Sequence, residues 1–322
     1  MPAISASAPA KIILFGEHTV VYGHPAIAAP VHEVEARVTI TAQPTRSGPP
    51  EIEAPQIGLK TTLDRLQADH PIACAFQLVA EALGLDHWPA FHLRLTSSIP
   101  VASGMGSSAA TAVALVRALS AFMGHPLSDS EVCALAYRLE QRHHGTPSGI
   151  DNTVITFARP IFFVRHQPVE FLTFAKPIHL LIGDTGIKGL TREAVAGVRQ
   201  RWEQDPIGYG NLFQAIADLT RRAKEALMQG EMEVVGTLMT ENHRLLVEMG
   251  VSSPELNRLV EAALGAGALG AKLSGGGQGG IMIALVHPQN VHQVGQALRE
   301  AGAVNVLSTE VPALPPSRVT LS

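Results

Sequence analysis

Residues 100–110 read PVASGMGSSAA, a run of small residues between two predicted elements. Alternating apolar residues from Phe91 to Leu95 predict a strand before this run, and helical spacing over 107–122 predicts a helix after it. Glycines let a backbone approach an anion closely, and the free N–H groups of a first helical turn favour negative charge. The stretch therefore predicts a phosphate-binding loop in a chain that mixes strands with helices.

This loop matches neither of the two common nucleotide-binding loops. A Walker A loop needs a lysine after its second glycine, and none is present here. The dinucleotide fingerprint needs a third glycine, which the sequence GMGSSA at 104–109 lacks, and an acidic residue about 20 positions further on. Since a glycine-rich turn before a helix is often only structural, other motifs must decide its function.

Periodicity along the rest of the chain predicts an α+β protein of two domains, 1–175 and 176–322. Alternation over 34–40 predicts a strand, and the proline-rich stretch 44–55 predicts a surface loop between strands. Further predictions are a helix over 129–143 capped by Ser128, strands over 161–164 and 178–182, helices over 190–203, 211–228, 232–249 and 254–265, and a strand, glycine turn, strand, helix and strand over 271–308.

Composition excludes several classes of function. The chain has 322 residues, a hydrophobic fraction of 46% and a formal charge of −4, without the basic stripe that nucleic acid binding requires. Its two cysteines, Cys74 and Cys133, lie among apolar residues with no zinc-binding spacing, and no 18-residue window is apolar enough to span a bilayer. These features predict a cytoplasmic enzyme without a nucleic acid or membrane partner.

Three more segments accompany the phosphate loop: PAKIILFGEHTVVYG at 9–23, GTPSGIDN at 145–152 and KLSGGGQGG at 272–280. Together the four segments resemble the motifs of the GHMP kinase superfamily, in the same order and over almost the whole chain. Within it, GEHTVVYG and PSGIDN are similar to the short archaeal and bacterial mevalonate kinases, whereas galactokinases read GEHTDY. The resemblance implies a ribosomal-S5-like N-terminal domain and a ferredoxin-like C-terminal domain that closes the substrate cleft.

The resemblance also implies an activity, the transfer of the γ-phosphoryl group of ATP to the 5-hydroxyl of mevalonate. Asp151 matches the family's catalytic aspartate, which takes the proton of that hydroxyl, and Lys11 matches the lysine that lowers the pKa of the hydroxyl. Ser108 and Glu140 match the residues that bind Mg²⁺, a cation that prefers a few hard oxygen ligands besides phosphate and water.

Other positions match the family's binding residues. Glu17, His18, Ser148 and Thr191 match substrate positions, and His18 could donate to the carboxylate or the 3-hydroxyl of the acid. Gln278 interrupts the third glycine motif and puts nucleotide affinity in doubt. The nucleotide positions are Ser103, Gly104, Met105, Gly106, Ser107, Ser108, Ala109, Gly276 and Gly277.

Several alternatives stay open at this point. The acceptor could be phosphomevalonate, the 3-hydroxyl of mevalonate or a sugar alcohol, although a phosphorylated acceptor calls for extra basic side chains, for which only Lys188, Arg192 and Arg142 are candidates. A nucleotide-binding sensor without catalysis is disfavoured because the chain retains all four matching residues: Lys11, Ser108, Glu140 and Asp151. An RNA-binding module would share only the S5-like fold. The sequence leaves a homodimer open.

Overall fold

The computed structural model describes residues 3–100, 103–144, 147–189 and 191–313, and the side chains of 143, 144, 191 and 192 are outside that description. The described strands are β1 Ala3–Phe15, β2 Ala26–Ala42, β3 Glu51–Ala54, β4 Leu59–Thr62, β5 Phe91–Ser97, β6 Ile161–Phe163, β7 Glu170–Phe171, β8 Ile178–Asp184, β9 Gly270–Ser274, β10 Ile281–Leu285 and β11 Asn305–Val311. The described helices are α1 Pro71–Leu83, α2 Ser107–Phe122, α3 Asp129–His144, α4 Ile150–Phe157, α5 Thr191–Gln204, α6 Pro206–Gln229, α7 Met232–Glu248, α8 Pro254–Gly265 and α9 Val291–Glu300.

The described chain forms two compact units, each discontinuous in sequence. The first unit takes residues 3–10, 32–100 and 106–158, and the second takes 11–31, 103–105 and 159–313. Strands β1 and β2 therefore contribute residues to both units. The prediction of two sequential domains, cut near residue 175, stays a prediction.

In the first unit, the strands pair in the order β4, β3, β5 and the later half of β2. β3 runs parallel to β5, and the other two pairings are antiparallel. The predicted loop over 44–55 is wrong in its last part, because residues 51–54 form β3. Ile52 and Ala54 are buried while Glu51 and Glu53 are half-buried, so a strand alternation is present but is hidden by the flanking prolines.

Helix α2 is the centre of the helical layer of the first unit, and α1, α3 and α4 all pack against it. Its bounds are those predicted from the sequence, and its small and apolar residues are buried on most sides. α3 begins at a capping box, in which the Ser128 N–H donates to Glu131 Oε2 at 2.8 Å and the Glu131 N–H donates to Ser128 Oγ at 3.4 Å. The predicted Ser128 cap is therefore confirmed.

In the second unit, four antiparallel strands form a sheet in the order β11, β8, β10, β9. Helix α7 covers the outer edge of β9, so the edge N–H groups of Ala271 and Leu273 donate to side chains of that helix, Thr240 Oγ1 at 3.4 Å and His243 Nδ1 at 3.3 Å. The close packing of β9 on α7 requires glycine at position 270, since a Cβ added there would lie 1.9 Å from the Gly236 carbonyl oxygen. The predicted α+β arrangement over 271–308 is confirmed.

Side-chain caps set the starts of two helices in the second unit. The Gly208 N–H donates to Asp205 Oδ1 at 2.9 Å before α6, and the Leu256 N–H donates to Ser253 Oγ at 3.3 Å before α8. Both helices have proline as their first residue, where a missing N–H costs nothing. None of the described helices combines the length and the apolar character needed to cross a membrane.

Candidate active site

The phosphate loop begins in the second unit, beside the end of β1. Ser103 and Met105 are buried, and Gly104 has a φ of +84°, which favours glycine. The Lys11 N–H donates to the Met105 carbonyl at 3.0 Å, so the loop backbone is fixed next to this lysine. The structure thus brings the predicted loop residues of this unit together with the predicted catalytic lysine.

The loop continues in the first unit as the start of α2. Gly106 precedes the helix with a φ of +77°, and the first helical bond runs from the Ala110 N–H to the Gly106 carbonyl at 2.9 Å. The backbone N–H groups of residues 107–109 therefore come before the first intrahelical bond. Ser107 and Ser108 are accessible, so their N–H groups can serve an anion, whereas Ala109 is fully buried.

The third glycine motif lies against the phosphate loop within the second unit. A Cβ added at Gly275 would lie 3.4 Å from the Gly104 carbonyl oxygen, and one added at Gly280 would lie 2.8 Å from the Ser103 carbonyl oxygen. A side chain at Gly277 would collide with the Val251 carbonyl oxygen at 1.9 Å. Glycines are thus needed for two backbones to pack at this distance, as the resemblance implies.

The ends of β1 and β9 are joined by buried polar contacts. Ser274 Oγ accepts from the Ile13 N–H at 3.0 Å and donates to the Ile13 carbonyl at 2.9 Å. Lys272 Nζ forms an ion pair with Glu17 Oε1 and also donates to the Leu273 carbonyl at 2.7 Å. The side chains of both Lys272 and Glu17 are wholly buried. A buried charge without a partner would be very unfavourable, so this pair must be kept intact.

Burial dominates the electrostatics of this ion pair. It raises the pKa of Glu17, although the positive charges of Lys272 and Lys11 act in the opposite direction. It lowers the pKa of Lys272, against the effect of Glu17. Glu17 Oε2 has no hydrogen-bond partner among the described residues. One carboxylate oxygen of the pair is therefore fixed and the other can still accept a hydrogen bond.

His18 is buried in a strained conformation, with a φ of +61°. Its Nε2 lies 2.9 Å from the Gly276 carbonyl oxygen, which ties the first motif to the third. Burial lowers the pKa of His18 to about 4. The ring is therefore neutral at pH 7, and because a carbonyl can only accept, Nε2 must bear the proton. Nδ1 is then an acceptor, and it has no partner among the described residues.

In the first unit, the structure brings together the two predicted metal residues. Ser108 Oγ, in the first turn of α2, donates to Glu140 Oε1 of α3 at 2.6 Å. α4 begins at Ile150, so Asp151 is in the first turn of a helix. The positive end of the helix dipole stabilises a negative charge at that position.

The two remaining predicted substrate residues have different outcomes. Ser148 is half-buried, and its Oγ accepts from the Ile150 N–H at 3.4 Å, so it helps to start α4. Thr191 begins α5, but its side chain lies outside the described residues. The roles of Ser148 and Thr191 stay predictions.

Sequence reasoning missed three polar residues of the second unit. Lys272 and Ser274 lie in the third glycine segment, 272–280, but the sequence alone assigned them no role, and only the structure shows that Lys272 contacts Glu17 and that Ser274 contacts β1. No sequence pattern pointed to Arg201 of α5, because its partners Tyr209 and Gly250 are remote in sequence from every motif.

Comparison with known proteins gives consistent matches. The profile described as GHMP kinases N terminal domain matches residues 70–159, and that described as GHMP kinases C terminal matches residues 223–304. Mevalonate kinase of Pyrococcus furiosus is 38% identical over 324 aligned residues, which cover 95% of both chains.

The chain belongs to the GHMP kinase family.

Solved structures of other GHMP kinases have the same fold. L. major mevalonate kinase, solved in complex with R-mevalonate, is 30% identical with a TM-score of 0.82, and 97% of each chain is covered. Methanococcus jannaschii mevalonate kinase is 26% identical with a TM-score of 0.85, covering 97% of this chain and 98% of the other. The predicted α+β GHMP kinase fold is therefore confirmed.

Proposed function

We propose that the protein transfers the γ-phosphoryl group of ATP to the 5-hydroxyl of mevalonate. The observation that supports this most strongly is the 38% identity to a mevalonate kinase over 95% of both chains. The geometry agrees with it, because residues 103–105 of the phosphate loop, the third glycine motif and the turn at His18 are held together in the second unit.

Phosphoryl transfer needs positioned phosphates more than it needs covalent chemistry. The N–H groups at the start of α2 bind anionic phosphate oxygens, and the helix dipole adds to that attraction. The backbone packing of Gly104 on Gly275 fixes the loop before the nucleotide arrives. We infer that this rigidity holds the γ-phosphoryl group in place without an ordering cost at the moment of reaction.

Asp151 and Lys11 have complementary roles in the proposed transfer. As the hydroxyl oxygen of the acceptor bonds to the γ-phosphorus, its proton passes to the Asp151 carboxylate, and the bond from phosphorus to the bridging oxygen breaks to release ADP. The Lys11 ammonium group stabilises the negative charge that spreads over the transferring phosphoryl oxygens.

Ser108 and Glu140 fit a magnesium ion by the chemistry of their donor atoms. A hydroxyl and a carboxylate oxygen 2.6 Å apart are two hard ligands, and Mg²⁺ takes the rest of its octahedron from phosphate oxygens and water. The described residues contain no cluster of three or more His, Cys, Asp or Glu that could hold a metal by itself. When bound with ATP, the ion would neutralise charge on the β- and γ-phosphates.

Ser108→Ala tests this metal role. Because one of the two protein ligands is lost, the Mg²⁺ concentration that gives half-maximal activity should rise by about tenfold, while the KM for mevalonate should change little. Activity is measured across a Mg²⁺ titration at a fixed ATP concentration. An unchanged Mg²⁺ requirement in both Ser108→Ala and Glu140→Gln would contradict the assignment.

The acceptor is tested by measuring ADP release with MgATP and each of four acceptors: mevalonate, 5-phosphomevalonate, galactose and homoserine. Turnover with mevalonate alone is the expected result. Turnover with 5-phosphomevalonate would favour the phosphorylated acceptor instead. ATP binding without turnover on any acceptor would favour the catalytically silent sensor.

A further inference from the structure

The proposed acceptor is an acid, so its site needs a partner for a carboxylate. A carboxylate that leaves water requires a cation or several N–H donors. His18 cannot supply the cation, since it is neutral and its only N–H donates to Gly276. The lone pair of its Nδ1 would repel a carboxylate and suits a hydroxyl donor instead. The carboxylate must therefore bind elsewhere.

Two cations act on His18 through space, Arg201 and Lys272. Lys272 is neutralised by Glu17 and its side chain is wholly buried. Arg201 is only half-buried, and no carboxylate among the described residues pairs with it; its contacts are with neutral oxygens. A guanidinium keeps its charge at every physiological pH and matches a carboxylate in shape, so Arg201 remains able to bind an anion.

The guanidinium of Arg201 is held in one orientation. Its Nε donates to Tyr209 Oη at 3.0 Å, and Tyr209 Oη donates in turn to the Met249 carbonyl at 3.1 Å. Nη2 donates to the Gly250 carbonyl at 3.4 Å. Nη1 lies over Gly197, where the missing side chain leaves it room. Two edges of the guanidinium are anchored, and Nη1 has no hydrogen-bond partner among the described residues.

Two contact paths connect Arg201 with the His18 turn, both inside the second unit. Trp202, the next residue, contacts the ring of Tyr22 with centroids 5.3 Å apart, and Tyr22 ends the short 3-10 helix that follows His18. On the other side, Gly250 is followed by Val251, whose carbonyl accepts from the Gln278 N–H at 2.8 Å in the loop that contains Gly276.

We propose that Arg201 binds the carboxylate of the acid substrate and so determines specificity for an acid over a neutral alcohol. The inference rests on the proposed function, because it assumes an acid acceptor. Nη1 and Nη2 present a planar pair of donors that matches the two oxygens of a carboxylate. His18 Nδ1 then accepts from a hydroxyl of the same substrate.

The test compares mevalonate with 3-methylpentane-1,3,5-triol, in which an alcohol replaces the carboxylate. Arg201→Gln should raise the KM for mevalonate roughly 30- to 100-fold, the usual loss for a charge-assisted pair, with kcat and the KM for ATP within about threefold. The affinity for the triol should be unchanged by the substitution. This affinity is measured as a KM if the triol is a substrate, and otherwise as the inhibition constant of the triol in competition with mevalonate.

Three further variants control this test. Arg201→Lys keeps the charge but not the planar pair, and should fall between wild type and Arg201→Gln. Tyr209→Phe removes one anchor of the guanidinium and should raise the KM for mevalonate by less, about three- to tenfold. Arg244→Gln removes an exposed arginine of α7 in the same unit. It should change neither the KM for mevalonate nor the binding of the triol.

Equal losses on mevalonate and on the triol would overturn the proposal, since that pattern indicates a structural role. An unchanged KM for mevalonate in Arg201→Gln would overturn it as well. Failure of the proposed function is recognised separately, because the wild-type protein would then fail to phosphorylate mevalonate. Thermal unfolding of each variant identifies a folding defect, in which case Arg201→Lys decides the outcome.

Discussion

The polar residues of the two units differ in how they are held. In the first unit, Ser108 and Asp151 lie in the first turns of helices and are at least partly accessible. In the second unit, Glu17 and Lys272 are wholly buried and depend on a partner 255 residues away in sequence. Residues that match the same family motifs can therefore have different consequences when they are substituted: changes at Ser108 or Asp151 are expected to reduce activity, and changes at Glu17 or Lys272 are expected to reduce stability.

Asp151→Asn should have the largest effect on activity. Loss of the carboxylate that takes the proton should reduce kcat by roughly 10²- to 10⁴-fold. Since the side chain is half-buried in the first turn of α4, the free energy of unfolding should change by less than about 1 kcal/mol. Steady-state kinetics and urea unfolding measure the two effects, with Asp86→Asn in an exposed bend as control. A large loss of stability would remove the contrast between the units.

Lys272→Met should have the largest effect on stability. It leaves the Glu17 carboxylate buried without its cation, which should cost about 3–5 kcal/mol in the free energy of unfolding. The double variant Glu17→Leu/Lys272→Met removes both charges and should recover most of that loss. Urea unfolding of the two single variants and the double variant gives the coupling energy. A double variant no more stable than Lys272→Met would contradict the buried ion pair.

The stability of the second unit should also depend on pH. Burial lowers the pKa of both His18 and His243 to about 4, from an ordinary value near 6.5. Between these pH values the unfolded chain binds protons that the folded chain does not. The contribution of the two histidines to the free energy of unfolding is therefore fully present above about pH 6.5 and is lost as the pH drops toward 4. Each histidine should contribute up to about 3 kcal/mol.

His243→Gln isolates one of these two contributions. The dependence of unfolding free energy on pH between 4 and 6.5 should fall by the equivalent of about one proton. His292→Gln, on the exposed face of α9, is the matched control and should leave the slope as in wild type. An unchanged slope in His243→Gln would show that this histidine can be protonated in the folded protein.

Gln278→Gly should have the smallest effect in either unit. Gln278 has a φ of +55° in the third glycine motif, and glycine relieves that strain while it increases the entropy of the unfolded chain. The two effects oppose each other, so the free energy of unfolding should change by less than about 1 kcal/mol. The exposed side chain makes a change in the KM for ATP of more than about threefold unexpected. A larger change in that KM would assign the amide a role in nucleotide binding.

Local signals in the sequence predicted much of the fold. The bounds of α2 and the Ser128 cap of α3 follow from short-range periodicity and capping, and both are confirmed. β3 was missed because prolines around it concealed the alternation, and α4 was missed because it is only two turns long. In both cases pairing or packing with distant residues stabilises an element that its own sequence specifies weakly.

The candidate site was predictable where a motif names the residue and not where distant segments meet. The motifs named Lys11, Ser108 and Asp151. No pattern within the sequence could show that Lys272 pairs with Glu17, or that Arg201 pairs with no carboxylate in the part of the chain that the structure describes, since both facts depend on contacts over long sequence separations. These residues became visible only through their burial and their partners.

Phosphorylation of mevalonate at its 5-hydroxyl can be observed in the product itself. The protein is incubated with MgATP and mevalonate labelled with ¹³C at carbon 5, and the ¹³C and ³¹P NMR spectra of the product are recorded. A ¹³C–³¹P coupling at carbon 5, which should be absent with Asp151→Asn over the same time, is the expected result. Phosphate on the 3-hydroxyl, or ATP hydrolysis without a phosphorylated acid, would contradict the claim.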